Sequence, residues 1–180
     1  MPRFTPKEPV LYIFSGLPGS GKSTIARLVA RRLKAAYLRI DTIEQGLRDL
    51  AGITTVEGEG YRLSYRIASE NLNLGVSVVA DSCNPIELTR REWEEVARNA
   101  QAHFLNIEIV CSDRDEHRRR VETRFPTVQG LRLPTWEEVE NREYHEWTVG
   151  RIVVETAHRS VQESAEDLLA QIEKPPATHY

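Results

Sequence analysis

The chain has 180 residues, with 24 Lys and Arg against 27 Asp and Glu, a formal net charge of -3. One domain is expected at this length, and folding buries about 70% of the extended chain's surface without need of a disulfide or metal staple. The acidic balance argues against stable nucleic-acid binding, the two cysteines Cys83 and Cys111 argue against a disulfide framework, and no apolar run approaches the roughly 18 residues of a membrane span.

In chain order, residues 1–9 hold three prolines and read as an arm without the apolar core of a secretory signal, which points to a cytoplasmic protein. Residues 10–14 are continuously apolar, as a strand covered on both faces should be, and 36–40, 76–80, 104–111 and 152–154 are four further strand candidates. Segments of helical period fill the gaps at about 22–34, 42–51, 61–74, 86–101, 113–124, 135–147 and 161–173, and 175–180 reads as a tail. Strands separated by helices predict parallel pairing with right-handed crossovers, hence a three-layer α/β/α sandwich whose ligands bind at the carboxyl ends of the strands.

Chemistry is expected just after each strand. The first is followed by Gly16-Leu17-Pro18-Gly19-Ser20-Gly21-Lys22-Ser23-Thr24, a full match to the phosphate-loop pattern. Its glycines let successive N–H groups turn inward, and the helix that follows aims its positive end at the same anion. Lys22 is suited to the β- and γ-phosphates, the Ser23 hydroxyl to Mg²⁺ and Thr24 to the α-phosphate. After the second strand, Asp41 has two roles open to it, a general base for an attacking hydroxyl and a helix N-cap. Arg48, about two helical turns on, returns to the same side and can hold substrate. After the third, Asp81 is the expected carboxylate of the Mg²⁺ shell, through water, with substrate binding or the orientation of Asp41 as alternatives. Cys83 reads as a packed small residue.

Beyond the fourth strand, residues 112–124 carry five arginines among their acids. Arg120 and Arg124 share one helix face, and an arginine delivered by a closing lid would balance charge in phosphoryl transfer. The competing expectation is a solvated helix stitched by Glu116–Arg120 and Arg118–Glu122 pairs. Residues 125–134, with Gly130 and two prolines, would make a flap, so the lid region is set at 113–134, and Thr135 with Glu138 forms a capping-box pattern. Tyr65, Arg62 or Arg66 of the 61–74 helix can serve an acceptor pocket. The five histidines show no paired ligand spacing, which argues against a zinc site, and Trp93, Trp136 and Trp147 read as packing.

The set of Gly16–Thr24, Arg39-Ile40-Asp41, Asp81-Ser82-x-Asn84 and the arginine-rich helix resembles the small P-loop kinases. That group includes polynucleotide kinase, gluconate kinase, adenylylsulfate kinase, chloramphenicol phosphotransferase, the zeta toxins and bacterial proteins described as AAA-family ATPases. The likeness runs from about Val10 to Ile172 and takes in Asn71-Leu72-x-Leu74-Gly75 and Pro134-Thr135-Trp136-x-x-Val139 with Arg142 and Tyr144. It implies a five-stranded parallel sheet of order 2-3-1-4-5 with a mobile lid carrying Arg120 and Arg124. By similarity to polynucleotide kinases, Asp41 matches the general base and Arg48 a substrate-phosphate contact. Arg39-Ile40-Asp41 stands where the adenylylsulfate kinases carry a D-G-D triplet. The expected activity is an ATP- and Mg²⁺-dependent kinase, with GTP open as donor, acting on a hydroxyl of a small-molecule or nucleotide-like acceptor. A nucleotide-dependent ATPase switch is the alternative; polynucleotide 5′-hydroxyl kinase and zeta-toxin-like sugar-nucleotide kinase come third. The oligomeric state is left open.

Overall fold

The apolar runs become strands of a single parallel sheet. β1 (Val10–Ser15) is flanked by β3 (Val78–Asp81) and β4 (His103–Val110), with β2 (Ala36–Arg39) and β5 (Ile152–Glu155) at the edges, giving the order β2-β3-β1-β4-β5. Every pairing is parallel, which is the topology the family resemblance implied. The structure is a computed structural model that describes residues 8–51 and 55–173; most of the expected arm and the whole of the expected tail lie outside them.

The pleat of β1 divides the core in two. Leu11 and Ile13 pack with Val78, Ala80, Leu72 and Trp93, beneath α3 (Glu59–Asn73) and α4 (Glu87–Asn99). Tyr12 and Phe14 pack with Ile25, Val29, Ile107 and Leu168, beneath α1 (Lys22–Leu33) and α7 (Val161–Ile172). Each fully buried Leu, Ile or Phe contributes about 1.5–3 kcal/mol, so this double core fixes the sheet rigidly under the loops at its carboxyl edge. α2 (Ile40–Ala51) leans on α3. No helix among the described residues is long and apolar enough to cross a membrane.

Local signals set most boundaries. Asp113 caps α5 (Arg114–Thr123) by accepting from the Glu116 N–H at 2.8 Å. Capping boxes start α6 (Trp136–Glu140) at Thr135, as expected, and α7 at Ser160. The helix expected over 135–147, however, stops at Glu140. Arg90 of α4 is buried and donates to the carbonyls of Asn84, Pro85, His145 and Glu146 at 2.8–3.3 Å, while stacking on Trp147 and Tyr144 at 4.1 and 4.9 Å. The His145 N–H goes to the Pro85 carbonyl at 2.7 Å. Backbone groups committed to a distant guanidinium and loop cannot also close a helical ladder.

Two smaller shifts matter for chemistry. β2 ends at Arg39 and α2 begins at Ile40, so Asp41 stands inside the first turn of its helix instead of capping it. β3 runs through Asp81, which lies in register with Phe14 on one side and Arg39 on the other.

Candidate active site

The phosphate loop takes the strained backbone its glycines allow: φ is 139° at Gly16, 88° at Gly19 and 94° at Gly21. A Cβ on Gly16 would lie 2.3 Å from the Ile109 carbonyl oxygen of β4, so at that position only glycine lets the loop cross the sheet. The loop is pinned by the Gly16 N–H donating to the Cys83 carbonyl and the Ser20 N–H to that of Leu17, at 3.1 and 3.2 Å. Among the described residues, the N–H groups of Gly19, Gly21, Lys22 and Ser23 find no backbone acceptor. Free amides at the N-terminus of a twelve-residue helix form a ready anion cradle.

Beneath the cradle is a buried polar network that register explains. Residues in register, and residues two apart on a strand, project to the same side of a sheet, so Tyr37, Arg39 and Asp81 meet. Asp81 accepts from Lys22 Nζ at 3.3 Å and from the Tyr37 hydroxyl at 2.6 Å, and Arg39 Nε lies 3.8 Å away. Burial alone would raise the Asp81 pKa, but Lys22 and the bonds from Tyr37 and Ser23, with Arg39, hold it below the ordinary value. Burial presses the Lys22 pKa down; Asp81, with Cys83 and Asp41, brings it above the ordinary lysine value. Burial pushes the Cys83 thiol up, which keeps it protonated and a poor nucleophile.

The loop, the ends of β2 and β3, the start of α2 and parts of the segment from Arg120 to Arg142 enclose a cleft of about 930 Å³. Eight Lys and Arg line it against four Asp and Glu, so an acidic chain presents a strongly cationic site. Asp41 and Arg48 both line the cleft. Arg39 donates to Asp41 Oδ2 through Nε at 3.2 Å and Nη2 at 2.9 Å, and Arg48 lies 3.6 Å from Glu44.

The two arginines expected in the lid differ in state. Arg120 donates to the Thr156 hydroxyl and carbonyl at 2.9 and 2.7 Å and to Glu116 at 2.5 Å. The Thr156 hydroxyl in turn lies 2.8 Å from the Ser20 carbonyl, which ties Arg120 to the phosphate loop. Arg124, just past the end of α5, keeps Nε and Nη2 buried with no hydrogen-bond partner among the described residues. Burial lowers its pKa, Asp41 opposes that, and Arg39 and Arg142 add to it. An arginine in this condition has donor capacity left for an anion. The anticipated Glu116–Arg120 and Arg118–Glu122 pairs are both present.

Tyr65 is not brought to the cleft: its hydroxyl donates to Glu92 at 3.0 Å and its ring meets Trp93 edge-on at 4.6 Å. Sequence reasoning assigned no site role to Tyr37, Arg39 or Arg142. The alternation of Tyr37, Arg39 and the known strand was the one available signal for the first two. Nor did it find that α5 packs on the loop through His117, whose Nε2 lies 2.9 Å from the Pro18 carbonyl.

Ser23 and Asp81 offer a hydroxyl and a carboxylate held close enough for the Ser23 hydroxyl to lower the Asp81 pKa. Two hard oxygen donors beside free phosphate-binding amides fit Mg²⁺, which takes few protein ligands and completes its shell with phosphate and water.

Comparison with known proteins agrees with this fold and with the phosphate-loop family. The chain is 25% identical over 162 residues to a probable adenylyl-sulfate kinase of Halalkalibacterium halodurans, covering 87% of this chain and 76% of that one. A putative kinase from Chloroflexus aurantiacus superposes with a TM-score of 0.69 at 20% identity, covering 93% and 97% of the two chains. The Mycobacterium tuberculosis APS kinase CysC in complex with AMPPNP and APS gives 0.64 at 21% identity, covering 94% and 100%. Residues 11–130 match the family described as the AAA domain, and the chain therefore belongs to that family, among its small P-loop kinase-like members.

Proposed function

We propose that the protein is a single-domain, cytoplasmic kinase that transfers the γ-phosphoryl group of Mg·ATP to a hydroxyl of a small-molecule or nucleotide-like acceptor. The observation that carries this reading is that Asp41, the phosphate loop and the Lys22–Asp81 pair line one cationic cleft. The similarity to curated adenylyl-sulfate kinases supports a kinase, and the likeness to an APS kinase in complex with AMPPNP and APS supports ATP as donor.

The loop amides and Lys22 hold the triphosphate. Ser23 and Asp81 would hold Mg²⁺, which supplies charge neutralisation at the phosphate oxygens. Asp41 orients the acceptor hydroxyl and takes its proton as the oxygen bonds to the γ-phosphorus; the bond to the β–γ bridging oxygen breaks and ADP leaves. Arg48 contacts the acceptor, and Arg124 meets charge on the transferred group, with Arg120 fixing the loop beneath it. Of the lid region 113–134, α5 is the fixed frame and residues 124–134 are the side that closes the cleft.

The test is a screen of hydroxyl acceptors with γ-labelled ATP, followed by Asp41→Asn. The variant should lose about 100-fold or more in kcat while its ATP affinity stays within about twofold. Equal loss of both would remove Asp41 from the role of base.

A further inference from the structure

An open cleft poses a chemical problem for a kinase, because water is also a hydroxyl. Asp41 is about half exposed, so solvent reaches the group assigned as base before any acceptor arrives. One side chain answers this. Arg39 clamps Asp41 Oδ2 with both Nε and Nη2, and its remaining nitrogen, Nη1, donates to the Thr127 hydroxyl at 2.7 Å. Thr127 belongs to the segment after α5, and like Arg39 and Asp41 it lines the cleft. A single guanidinium therefore joins the base to the 124–134 wall, and its own side chain is largely buried. Arg124 lines the same space with two nitrogens that have no partner among the described residues.

We propose that Arg39 is a positioning residue that restrains Asp41 in the acceptor-free enzyme and releases it to an acceptor carrying an oxyanion beside its hydroxyl. The inference rests on the kinase reading above. The oxyanion draws Arg39 from Asp41 and Thr127 and gives Arg124 the partner it lacks. Two arginines bind one oxyanion more strongly than one arginine holds a half-exposed carboxylate, so the exchange runs toward release. Without that group Asp41 stays clamped and does not prepare water for attack. In the reaction so suppressed, a water oxygen bonds to the γ-phosphorus, its proton passes to Asp41, and the bond to the β–γ bridging oxygen breaks to leave ADP and inorganic phosphate.

The test needs only Mg·ATP. Arg39→Met should raise acceptor-independent ATP hydrolysis by roughly fivefold, Arg39→Lys should largely restore the restraint, and Arg39→Met with Asp41→Asn should fall back to the wild-type rate. Thr127→Val, which removes the hydroxyl that holds Arg39 Nη1, should raise acceptor-independent hydrolysis in the same direction by about twofold. That variant keeps the test alive if Arg39→Met fails to fold. Sodium sulfate, at constant ionic strength and saturating ATP, should stimulate the wild type severalfold and leave Arg39→Met unchanged. Unaltered hydrolysis in Arg39→Met, or in Thr127→Val where Arg39→Met does not fold, overturns the restraint, and absence of sulfate stimulation overturns the oxyanion acceptor. Failure of the wild-type protein to bind Mg·ATP is a separate result that removes the kinase reading itself.

Discussion

Replacing Asp81 by Asn changes one oxygen to an amide nitrogen and removes the charge on which three neighbours depend. Lys22 Nζ at 3.3 Å, the Tyr37 hydroxyl at 2.6 Å and Arg39 Nε at 3.8 Å all face it, and the Asp81 and Lys22 side chains are 1% and 11% exposed. Breaking one partner of a buried pair costs about 3–5 kcal/mol; the lower end applies because Lys22 borders the open cleft and can turn toward water. For a domain of this size that loss lowers Tm by about 6–12 °C. Since the Asp81 pKa lies below the ordinary carboxylate value when folded, its contribution is fully present above about pH 4 and fades only as pH falls through the lower folded value. ATP without Mg²⁺ should recover part of the loss, since phosphates give Lys22 a new partner, and the ATP-induced rise in Tm should exceed that of the wild type. Adding Mg²⁺ should help the variant less than the wild type. Differential scanning fluorimetry at pH 7 with EDTA, ATP or Mg·ATP reads all three. A Tm drop below about 2 °C, or the same ATP-induced rise in both proteins, would refute the argument.

Gly16→Ala puts a methyl 2.3 Å from the Ile109 carbonyl at a φ of 139°, so it should abolish ATP binding by calorimetry or prevent soluble expression. Arg90→Met removes the donor to four carbonyls and the stacking on Trp147; a loss of about 3 kcal/mol in urea unfolding and faster proteolysis within residues 141–150 are expected. Tyr65→Phe should leave the KM of any identified acceptor unchanged and cost about 0.5–1.5 kcal/mol of stability through the lost bond to Glu92. A severalfold rise in that KM would return Tyr65 to the acceptor pocket.

The phosphate loop was fully legible because its chemistry is local: nine consecutive residues carry both the backbone shape and the charge. Strand and helix positions followed from periodicity for the same reason, and the sheet order came from the family likeness. The segment after Glu140 was not legible, since its conformation is dictated by Arg90, some fifty residues away, whose burial no window of local sequence registers. Tyr65 was misplaced because α3 has two sides and only its packing on α4 decides which one meets Trp93. Arg39 was read as part of a motif and not as a clamp, because its role depends on β2 and β3 lying in one register. The i, i+4 spacing of Arg120 and Arg124 suggested one helix face, but α5 ends at Thr123, and only tertiary contacts separate the one tied to Thr156 from the one without a partner among the described residues.

The packing of α5 on the phosphate loop also bears on how the cleft can close. His117 meets the Pro18 carbonyl, and Val121 lies where a Cβ on Gly19 would strike it at 2.5 Å. With Arg120 fastened through Thr156 to Ser20, this helix is anchored to the cradle at three levels along its length. Swinging α5 would drag the loop out of shape and forfeit the amides that hold the nucleotide. Mechanical freedom therefore begins at Arg124, where regular structure ends, and a hinge there would move residues 124–134 as a short hatch on a stationary frame. On the proposed kinase reading, the nucleotide's pocket would be pre-built and stiff, and adaptation to an acceptor would fall to the opposite wall.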